Sequence, residues 1–325
     1  MSNTVAYRKG IYQNELVRKF AMWLDTSPHP SLAVEVATDR IAGARVSRTG
    51  GLDGFAVEPL PPGAVVPSAV ETNLVNIVAV KNAFESVCSR LRAKNEDMAI
   101  LVPDAVIRVF VQHFDEFPRS AAEAIPMLRW KLKKSVPFEV DETLISYMRQ
   151  APRESGVDVV TALGRLRIVR EYEGLAESLG LSPGVVLSSS LAAVSLLDDA
   201  RPTLLARIAG QALTTAIVRD GVLCGYRCTE LPVSGGMLTP TMLLEEIYPV
   251  AAYYQDTWQE GIKAVRVAGL GARLAEFVRP LEQEFHCEVR SLLHTAVSEG
   301  RLSDEARPLA DRELEGLVGW MLQRN

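Results

Sequence analysis

A strand–turn–strand pattern at residues 31–46 restricts the folds that this chain can adopt. Leu32, Val34 and Val36 alternate with small or charged residues, which is the two-residue period of a strand with one buried face. Residues 38–40 break the alternation with turn-forming side chains, and residues 41–46 resume it. The pattern predicts an antiparallel hairpin.

A second unit of the same kind lies far downstream. Residues 204–210 lead through a polar turn into residues 214–218, and Asp220-Gly221 separates that run from residues 222–231. An Asp-Gly pair between two alternating runs is a strong signal for a two-residue hairpin turn. Two such units, so far apart, predict two halves of similar build that face one cleft.

Strand and helix periodicities alternate through the rest of the chain. The remaining strands are predicted at residues 55–60, 98–102, 107–114, 142–148, 157–163, 185–187 and 264–267. Helices are predicted at residues 80–91, 120–136, 165–179, 190–199, 242–255, 274–285 and 311–322. This alternation predicts the α/β class.

Length and charge exclude several functions. The 325 residues are enough for two domains with separate cores, and the net charge of -5 argues against a dedicated nucleic-acid-binding protein. No run approaches the roughly 18 apolar residues of a membrane span, and no signal peptide is evident. We therefore expect neither a transmembrane segment nor a nucleic-acid partner.

The cysteines and histidines do not predict a metal site. Cys224 and Cys228 share one face of a predicted strand but lie about 13 Å apart at ~3.3 Å per residue. That separation is too large for one zinc ion with bonds of about 2.3 Å. We interpret all four cysteines as reduced thiols, and the four histidines, which show no ligand or triad spacing, as structural or surface residues.

Residues 1–30 are predicted to form an N-terminal extension. Residues 12–24 have a helical apolar rhythm, which Pro28 and Pro30 end. Two interpretations remain open, a helix packed on the body or a contact with a membrane surface or partner. The second rests on Arg18 and Lys19, which flank the apolar stripe.

The segment after Ser120 has an unusual composition. Ser120 and Glu123 fit a capping box, and Pro126 predicts a kink or restart in the helix that follows. Trp130 lies off the apolar face, among Arg129, Lys131, Lys133 and Lys134. This arrangement is either a solvated basic face or a surface for an acidic or amphipathic partner, because Trp and Arg are favoured in interface centres.

Several segments, taken in order, resemble PilM, the family of actin-like cytoplasmic proteins of type IV pilus assembly. Leu101-Val102-Pro103-Asp104 resembles the family's LPD strand end, and residues 128–138 resemble its IRWE…IPF helix. Residues 61–64 and 232–236 also match. The similarity covers roughly residues 31–325 and is strongest over residues 101–197.

The resemblance implies a two-lobed actin-like fold with a small subdomain inserted in lobe one. Lobe one is expected at residues 31–198, with the inserted subdomain at about 101–150. Lobe two is expected at residues 199–325, with the helix at 311–322 packing back on lobe one.

The nucleotide-binding pattern of actin-like proteins maps imperfectly onto this chain. In that pattern each lobe offers a strand with an Asp two residues before a Gly, because carboxylates order Mg²⁺ and glycines admit the phosphates. The first Asp falls on Glu35 and its Gly on Ala37, followed by Thr38. The second Asp falls on Arg207 and its Gly on Ala209.

Two further positions depart from the pattern. Gly210 comes one residue late, and the adenosine loop falls on Gly269-Leu270-Gly271, where Leu270 would intrude on the base. A cation at Arg207 repels Mg²⁺, and extra methyl groups crowd the phosphate path. We expect no nucleotide and no metal in this cleft, with Glu35 and Arg207 forming an ion pair across it.

The resemblance implies a non-enzymatic cytoplasmic adaptor, a pseudo-ATPase. In the family, PilM binds the short cytoplasmic tail of the membrane protein PilN and links the inner-membrane pilus subcomplex to the motor ATPases. We therefore expect a PilN-like tail and pilus motor ATPases as partners, and association with the inner membrane through them. Homo-oligomerisation stays open. The expected partner-binding residues are Trp130, Phe138, Arg129 and Lys133.

Three alternatives stay open at this point. The first is a PilM-type protein that binds or weakly hydrolyses Mg-ATP and tolerates Glu35. The second is an actin-like small-molecule kinase, which is disfavoured because phosphoryl transfer relies on placed carboxylates and metal. The third is the cytoplasmic domain of a type II secretion component of similar fold.

Overall fold

A computed structural model describes residues 29–47, 51–152, 156–197, 200–231, 237–293, 297, 307–310 and 312–322. The predicted N-terminal extension, apart from residues 29 and 30, lies outside these residues, as do residues 232–236 and His294. No helix among the described residues is long and apolar enough to cross a membrane.

Lobe one is built on a mixed sheet with the order β3-β2-β1-β4-β8. Its strands are β1 (Leu32–Val36), β2 (Arg40–Val46), β3 (Leu52–Pro59), β4 (Asp97–Val102) and β8 (Ser182–Ser188). The first predicted hairpin is confirmed, because β1 pairs antiparallel with β2 and parallel with β4. Every residue of β1 is buried, so this strand is the centre of the lobe. Helices α1 (Ile77–Arg90) and α3 (Leu166–Glu177) also belong to lobe one.

An inserted unit interrupts lobe one between β4 and α3. It consists of β5 (Arg108–Phe114), α2 (Ala121–Leu132), β6 (Thr143–Pro152) and β7 (Val157–Arg165), with the antiparallel sheet order β5-β7-β6. The apolar face of α2, formed by Ala124, Leu128 and Leu132, shares a core with the sheet. The three-stranded sheet continues to Arg165, past the predicted limit near residue 150.

Lobe two repeats the plan of lobe one. Its sheet has the order β11-β10-β9-β12-β13, formed by β9 (Thr203–Ala209), β10 (Ala212–Arg219), β11 (Val222–Glu230), β12 (Ala264–Ala268) and β13 (Glu288–Ser291). The predicted Asp-Gly turn is confirmed, with φ of 50° at Asp220 and 72° at Gly221, as a two-residue hairpin loop requires. Helices α5 (Pro240–Trp258) and α6 (Leu274–Phe285) share a core with β9, β10 and β12.

The last helix belongs spatially to lobe one. Helix α4 (Ser189–Ala193) follows β8, while α7 (Arg307–Ala310) and α8 (Glu315–Leu322) come near the end of the chain. Helix α8 contacts α4, β1 and β2, and Trp320 Nε1 donates to the carbonyl of Pro30 at 3.3 Å. The chain therefore returns to lobe one after completing the sheet of lobe two.

Several predicted boundaries were wrong, for local reasons. β8 begins at Ser182, before the predicted start at residue 185, and includes Pro183 and Gly184, because an edge strand can place proline where no ladder donor is needed. The helix predicted at 190–199 is the short α4 followed by a 3-10 turn. Helix α2 runs through Pro126 and ends at Leu132, before Val136. β13 was not predicted, because its four residues contain one apolar side chain.

Candidate functional site

The two hairpins bring Glu35 and Arg207 together between the lobes. Glu35 lies on β1 and Arg207 on β9, the central strand of each sheet, and each residue is 4% exposed. Arg207 Nη2 lies 3.2 Å from Glu35 Oε1 and donates a hydrogen bond to it. The predicted ion pair between these two residues is therefore confirmed.

Two further carboxylates surround the Arg207 guanidinium. Asp104, in the 3-10 turn after β4, places Oδ2 3.5 Å from Nη1, and Glu315, the first residue of α8, places Oε2 3.6 Å from Nε. Burial alone would lower the pKa of Arg207, but Glu35, Asp104 and Glu315 together raise it above its usual value. Arg207 is therefore a permanent cation at the centre of the molecule.

The serines at the junction of β8 and α4 connect the acidic groups. Asp104 accepts hydrogen bonds from Ser188 Oγ at 2.5 Å, from Ser190 N at 2.8 Å and from Ser190 Oγ. Ser189 Oγ donates to Glu35 Oε1, and Arg207 Nη1 donates to Ser190 Oγ at 3.1 Å. Because donors are aimed at both carboxylates, the network holds them in fixed positions.

Lobe two contributes hydroxyl groups to the same network. Thr214 Oγ1, on β10, donates to Asp104 Oδ2 at 2.9 Å, and the hydroxyl groups of Tyr226 and Ser188 lie 2.9 Å apart. Burial, together with the charge of Asp104, raises the pKa of Tyr226 well above its usual value and that of Cys228 to about 12. Both groups therefore stay neutral, and the contacts from β10 and β11 tie lobe two to Asp104 of lobe one.

The hairpin turns approach each other across the cleft. A Cβ atom placed on Gly210 would lie 3.0 Å from Thr38 Oγ1, so the turn after β9 nearly touches the turn after β1. Ala37 and Ala209 are half-buried at the ends of their strands. Little room remains for phosphates between these turns.

A cavity of about 420 Å³ lies beside the Gly269-Leu270-Gly271 loop. Gly269 has a φ of +78°, and a Cβ atom placed on it would clash with the backbone of Ile208. Leu270 lines the cavity and also packs on the core of lobe two. The other side is lined by residues from the end of α7 to the start of α8, namely Ala310, Arg312, Glu313 and Glu315.

Helix α8 sits against the floor of the cleft through two glycines. A Cβ atom on Gly316 would lie 3.0 Å from Glu35 Oε1, and one on Gly319 would lie 2.7 Å from the carbonyl carbon of Ala192. Arg40 Nη2 also donates to the carbonyl of Glu313 at 3.1 Å. The end of the chain therefore fills space directly beside the Glu35–Arg207 pair.

These residues do not fit Mg-ATP in the manner of the actin-like pattern. A guanidinium occupies the position of the second metal-organising carboxylate, and the turns that would admit phosphates are close together. Within the described residues, no group of three or more His, Cys, Asp and Glu side chains could hold a metal ion. Sequence reasoning found Glu35 and Arg207 but missed Asp104, Ser188, Ser189, Ser190 and Glu315.

The predicted partner-binding residues lie elsewhere, on the inserted unit. Trp130 projects from α2 and is 81% exposed, and Lys133 is exposed near the end of the same helix. Arg129 donates to the carbonyls of Asp141 and Thr143, at 3.3 and 3.1 Å, so its guanidinium helps to hold the loop before β6. Phe138 is half-buried in that loop.

Two sheets of like topology, each with a central hairpin strand facing a common cleft, define the actin-like fold. No protein-family model matches the chain. Among solved structures it is similar to the PilM-PilN type IV pilus biogenesis complex, with a TM-score of 0.68 and 16% identity over 91% of this chain and 98% of that chain. The resemblance to PilM noted in the sequence is thus confirmed at the level of the fold.

Weaker similarities extend to other bacterial proteins. The cytoplasmic domain of EpsL, an inner-membrane component of the type II secretion system of Vibrio cholerae, has a TM-score of 0.45 and 12% identity over 73% of this chain and 80% of that chain. A Bacteroides thetaiotaomicron protein with an actin-like ATPase fold has a TM-score of 0.47 and 9% identity over 88% and 97%.

Proposed function

We propose that this protein is a non-enzymatic adaptor of a type IV pilus assembly machine. In this proposal its inter-lobe cleft holds no nucleotide, and one face of lobe one docks the cytoplasmic tail of a PilN-like membrane protein. The adaptor thereby couples that membrane protein to the pilus motor ATPases. The observation that carries the proposal is the buried Arg207, which lies where the actin-like pattern needs an acid.

The charge at the centre of the cleft argues against a nucleotide machine. Magnesium binding requires oxygen ligands that carry negative charge, and the carboxylates nearest to this position are already bound to Arg207. Phosphoryl transfer depends on metal and on placed acids. The Glu35–Arg207 ion pair joins the two lobes directly, where Mg-nucleotide would join them in the actin-like pattern.

The fold supports a protein partner. The PilM of the similar complex is bound to PilN, and this chain shares its fold over most of the length of both proteins. We propose the inserted unit as the docking face, with Trp130 and Lys133 accessible and Phe138 at the edge. Arg129 would act indirectly, through the loop that it holds.

A thermal-shift titration tests the cleft. A ligand at about 100 times its Kd stabilises a fold by about 2.7 kcal/mol, so nucleotide binding would raise the melting temperature measurably. We expect Mg-ATP, Mg-ADP and Mg²⁺ alone to produce no shift. A saturable shift that requires both Mg²⁺ and the triphosphate would overturn the non-enzymatic assignment.

Capture with an immobilised tail tests the partner. The cytoplasmic tail of a PilN-like protein from the same organism is expected to retain the wild-type chain, and Trp130→Ala is expected to weaken retention. Tyr253→Ala, on α5 of lobe two, removes another exposed aromatic side chain and serves as the control. Failure of the wild-type chain to bind any pilus inner-membrane component would contradict the adaptor role.

A second candidate is an ATP-binding or weakly hydrolysing relative of PilM. The cavity beside Gly269-Leu270-Gly271 favours it, because this is where the actin-like pattern holds adenosine. Under this alternative, ATP, and adenosine through the cavity, would raise the melting temperature, whereas the adaptor proposal expects no shift with either. The thermal-shift titration with adenosine added therefore separates the two candidates.

A further inference from the structure

The outer face of α2 carries an unusual concentration of positive charge. Residues 119–136 contain five Lys or Arg and one Glu, in a chain whose net charge is -5. Lys131 Nζ donates to the carbonyl of His113 and lies over the Phe114 ring, and Arg129 holds backbone carbonyls. Lys133 and Lys134 are exposed and form no ion pair with any residue that the structure describes.

Trp130 stands beside these two lysines. Because Lys133 still has helical dihedral angles, Trp130, Lys133 and Lys134 follow each other at i, i+3 and i+4 on one face. Pro126, one turn earlier, is exposed on the same face, while the opposite face of α2 is buried in the inserted unit. The result is an exposed edge with an indole ring beside two ammonium groups that form no ion pair with the described residues.

We propose that this edge, Trp130 with Lys133 and Lys134, binds directly to an anionic membrane surface. Tryptophan is favoured at the level of lipid head groups, where its ring is apolar and its N–H remains hydrated. Lysines next to it are attracted by the negative potential of acidic lipids. No helix of the described chain could span a bilayer, so the contact is peripheral.

The shape of the edge suits a bilayer. The anchoring side chain, Trp130, belongs to this protein and projects outward. A lipid interface deforms around such a projection. The chain's own residues 1–28 carry four Lys or Arg and two Asp or Glu, so they match the edge in sign and do not complement it.

This inference goes beyond the docking of a PilN-like tail and does not require it. The proposed tail site also uses Trp130 and Lys133, so tail and lipid would share these two side chains, and the vesicle experiment, which contains no tail, isolates the lipid contact. If the tail does not bind, the vesicle experiment still tests direct lipid binding.

Co-sedimentation with vesicles tests the proposal without any protein partner. The full chain is mixed with vesicles of phosphatidylcholine alone or with added phosphatidylglycerol, at low and physiological salt. We expect binding to the anionic vesicles only, weakened by salt. Lys133→Gln with Lys134→Gln should lower the partition coefficient by roughly 25-fold, because each lysine contributes about a factor of five.

Matched variants separate the edge from general effects. Trp130→Ala should weaken vesicle binding, whereas Tyr253→Ala combined with Lys81→Gln removes an exposed aromatic and an exposed lysine elsewhere and should change nothing. Far-UV circular dichroism checks that each variant is folded, which is expected because all of these side chains are exposed.

Three outcomes would overturn the proposal. The first is no sedimentation of the wild-type chain with anionic vesicles. The second is binding that survives in the Trp130 and lysine variants, which would assign lipid contact to another part of the chain. The third is retention of an acidic polyglutamate peptide, or self-association, that depends on the edge while vesicles are ignored. That result would assign the surface to a protein partner or to a second copy.

Discussion

Arg207 brings a positive charge into a region that excludes water, together with the carboxylates of Glu35, Asp104 and Glu315. Removing charges from water costs several kcal/mol per ion, so such a cluster need not increase stability over an apolar substitute of the same shape. Its members nevertheless depend on each other, because removing one leaves the others buried and unpaired.

Arg207→Met should therefore destabilise the fold strongly. We expect the free energy of unfolding, measured with urea, to fall by about 3–5 kcal/mol, since Glu35 and Asp104 would lose their counter-charge. Arg90→Met is the control, because Arg90 pairs with Glu58 at 2.9 Å on the surface, where such pairs contribute about 0–1 kcal/mol. Similar small losses in both variants would contradict the central role of Arg207.

The pH dependence of stability should report on Glu315. Burial raises the pKa of Glu315 above the ordinary 4.5, although Arg207 opposes the shift. The folded state therefore binds this proton more tightly than the unfolded state, and the resulting stabilisation is complete below about pH 4.5 and is lost as the pH rises through the folded pKa.

Glu315→Gln removes this titration. We expect the unfolding free energy of the variant to fall less steeply than that of the wild type as the pH rises above about 4.5. Glu245→Gln, which removes an exposed carboxylate, controls for the change in net charge. Parallel pH profiles for wild type and Glu315→Gln would show that Glu315 does not titrate in this window.

The sequence revealed only part of this cluster. Glu35 and Arg207 were found because each lies on a hairpin strand whose pattern can be read locally. Asp104 lies in a short 3-10 turn and Ser190 in the short helix α4, both outside those hairpins, and Glu315 lies more than a hundred residues after Arg207. Nothing in their local sequence indicates that they meet, because tertiary packing alone brings them together.

At the scale of elements, the contact between α4 and α8 depends on small residues. Gly316 faces Ser189 and Glu35, and Gly319 faces the backbone of Ala192 and Ala193. Ser195 Oγ adds a hydrogen bond of 2.7 Å to the carbonyl of Gly319. The two helices therefore approach each other backbone to backbone.

Gly319→Ala should be destabilising although alanine favours helices. The new methyl group would overlap the Ala192 carbonyl, and overpacking of this kind costs about 1–3 kcal/mol. Gly174→Ala, inside α3, is the matched control, because nothing lies within 4 Å of the new methyl group there. Chemical denaturation should show the control to be more stable by about 0.5–1 kcal/mol, and a neutral Gly319→Ala would contradict the close packing.

Elements with strong periodicity were predicted well, and weak ones were not. The apolar spacing that predicted α1 is matched by its buried Val80, Phe84 and Val87. The second hairpin was equally clear, since Asp220-Gly221 fixes its turn. By contrast, β13 and the first residues of β8 have no repeated apolar pattern, and their pairing with neighbouring strands makes them strands.

At the scale of the whole molecule, the inserted unit is joined to lobe two as well as to lobe one. The buried Gln150, near the end of β6, donates from Nε2 to the carbonyl of Leu223 at 2.8 Å and accepts from the Leu223 N–H at 2.8 Å. Its amide thus replaces a neighbouring strand at the edge of β11. We therefore expect local unfolding of the inserted unit and of the β11 edge of lobe two to be coupled.

Gln150→Ala should weaken the attachment of the inserted unit to lobe two. The variant leaves the backbone groups of Leu223 without their partner, at a cost of about 1–3 kcal/mol, and hydrogen exchange at the Leu223 amide should accelerate accordingly. Gln211→Ala, exposed in the turn before β10, should leave that amide protected as in the wild type. Unchanged exchange in Gln150→Ala would mean that the two units are held together by other contacts.

The position of helix α8 also affects the order in which parts of the protein can fold during synthesis. It packs on β1, so the first described strand of the chain is fully covered only when the last described helix is in place. On the ribosome, lobe two can assemble around β9 and β12 while the side of β1 that α8 covers is still exposed. Until Gly316 emerges, Glu35 should remain open to water. This side of β1 should therefore be the last part of the nascent chain to be shielded from aggregation.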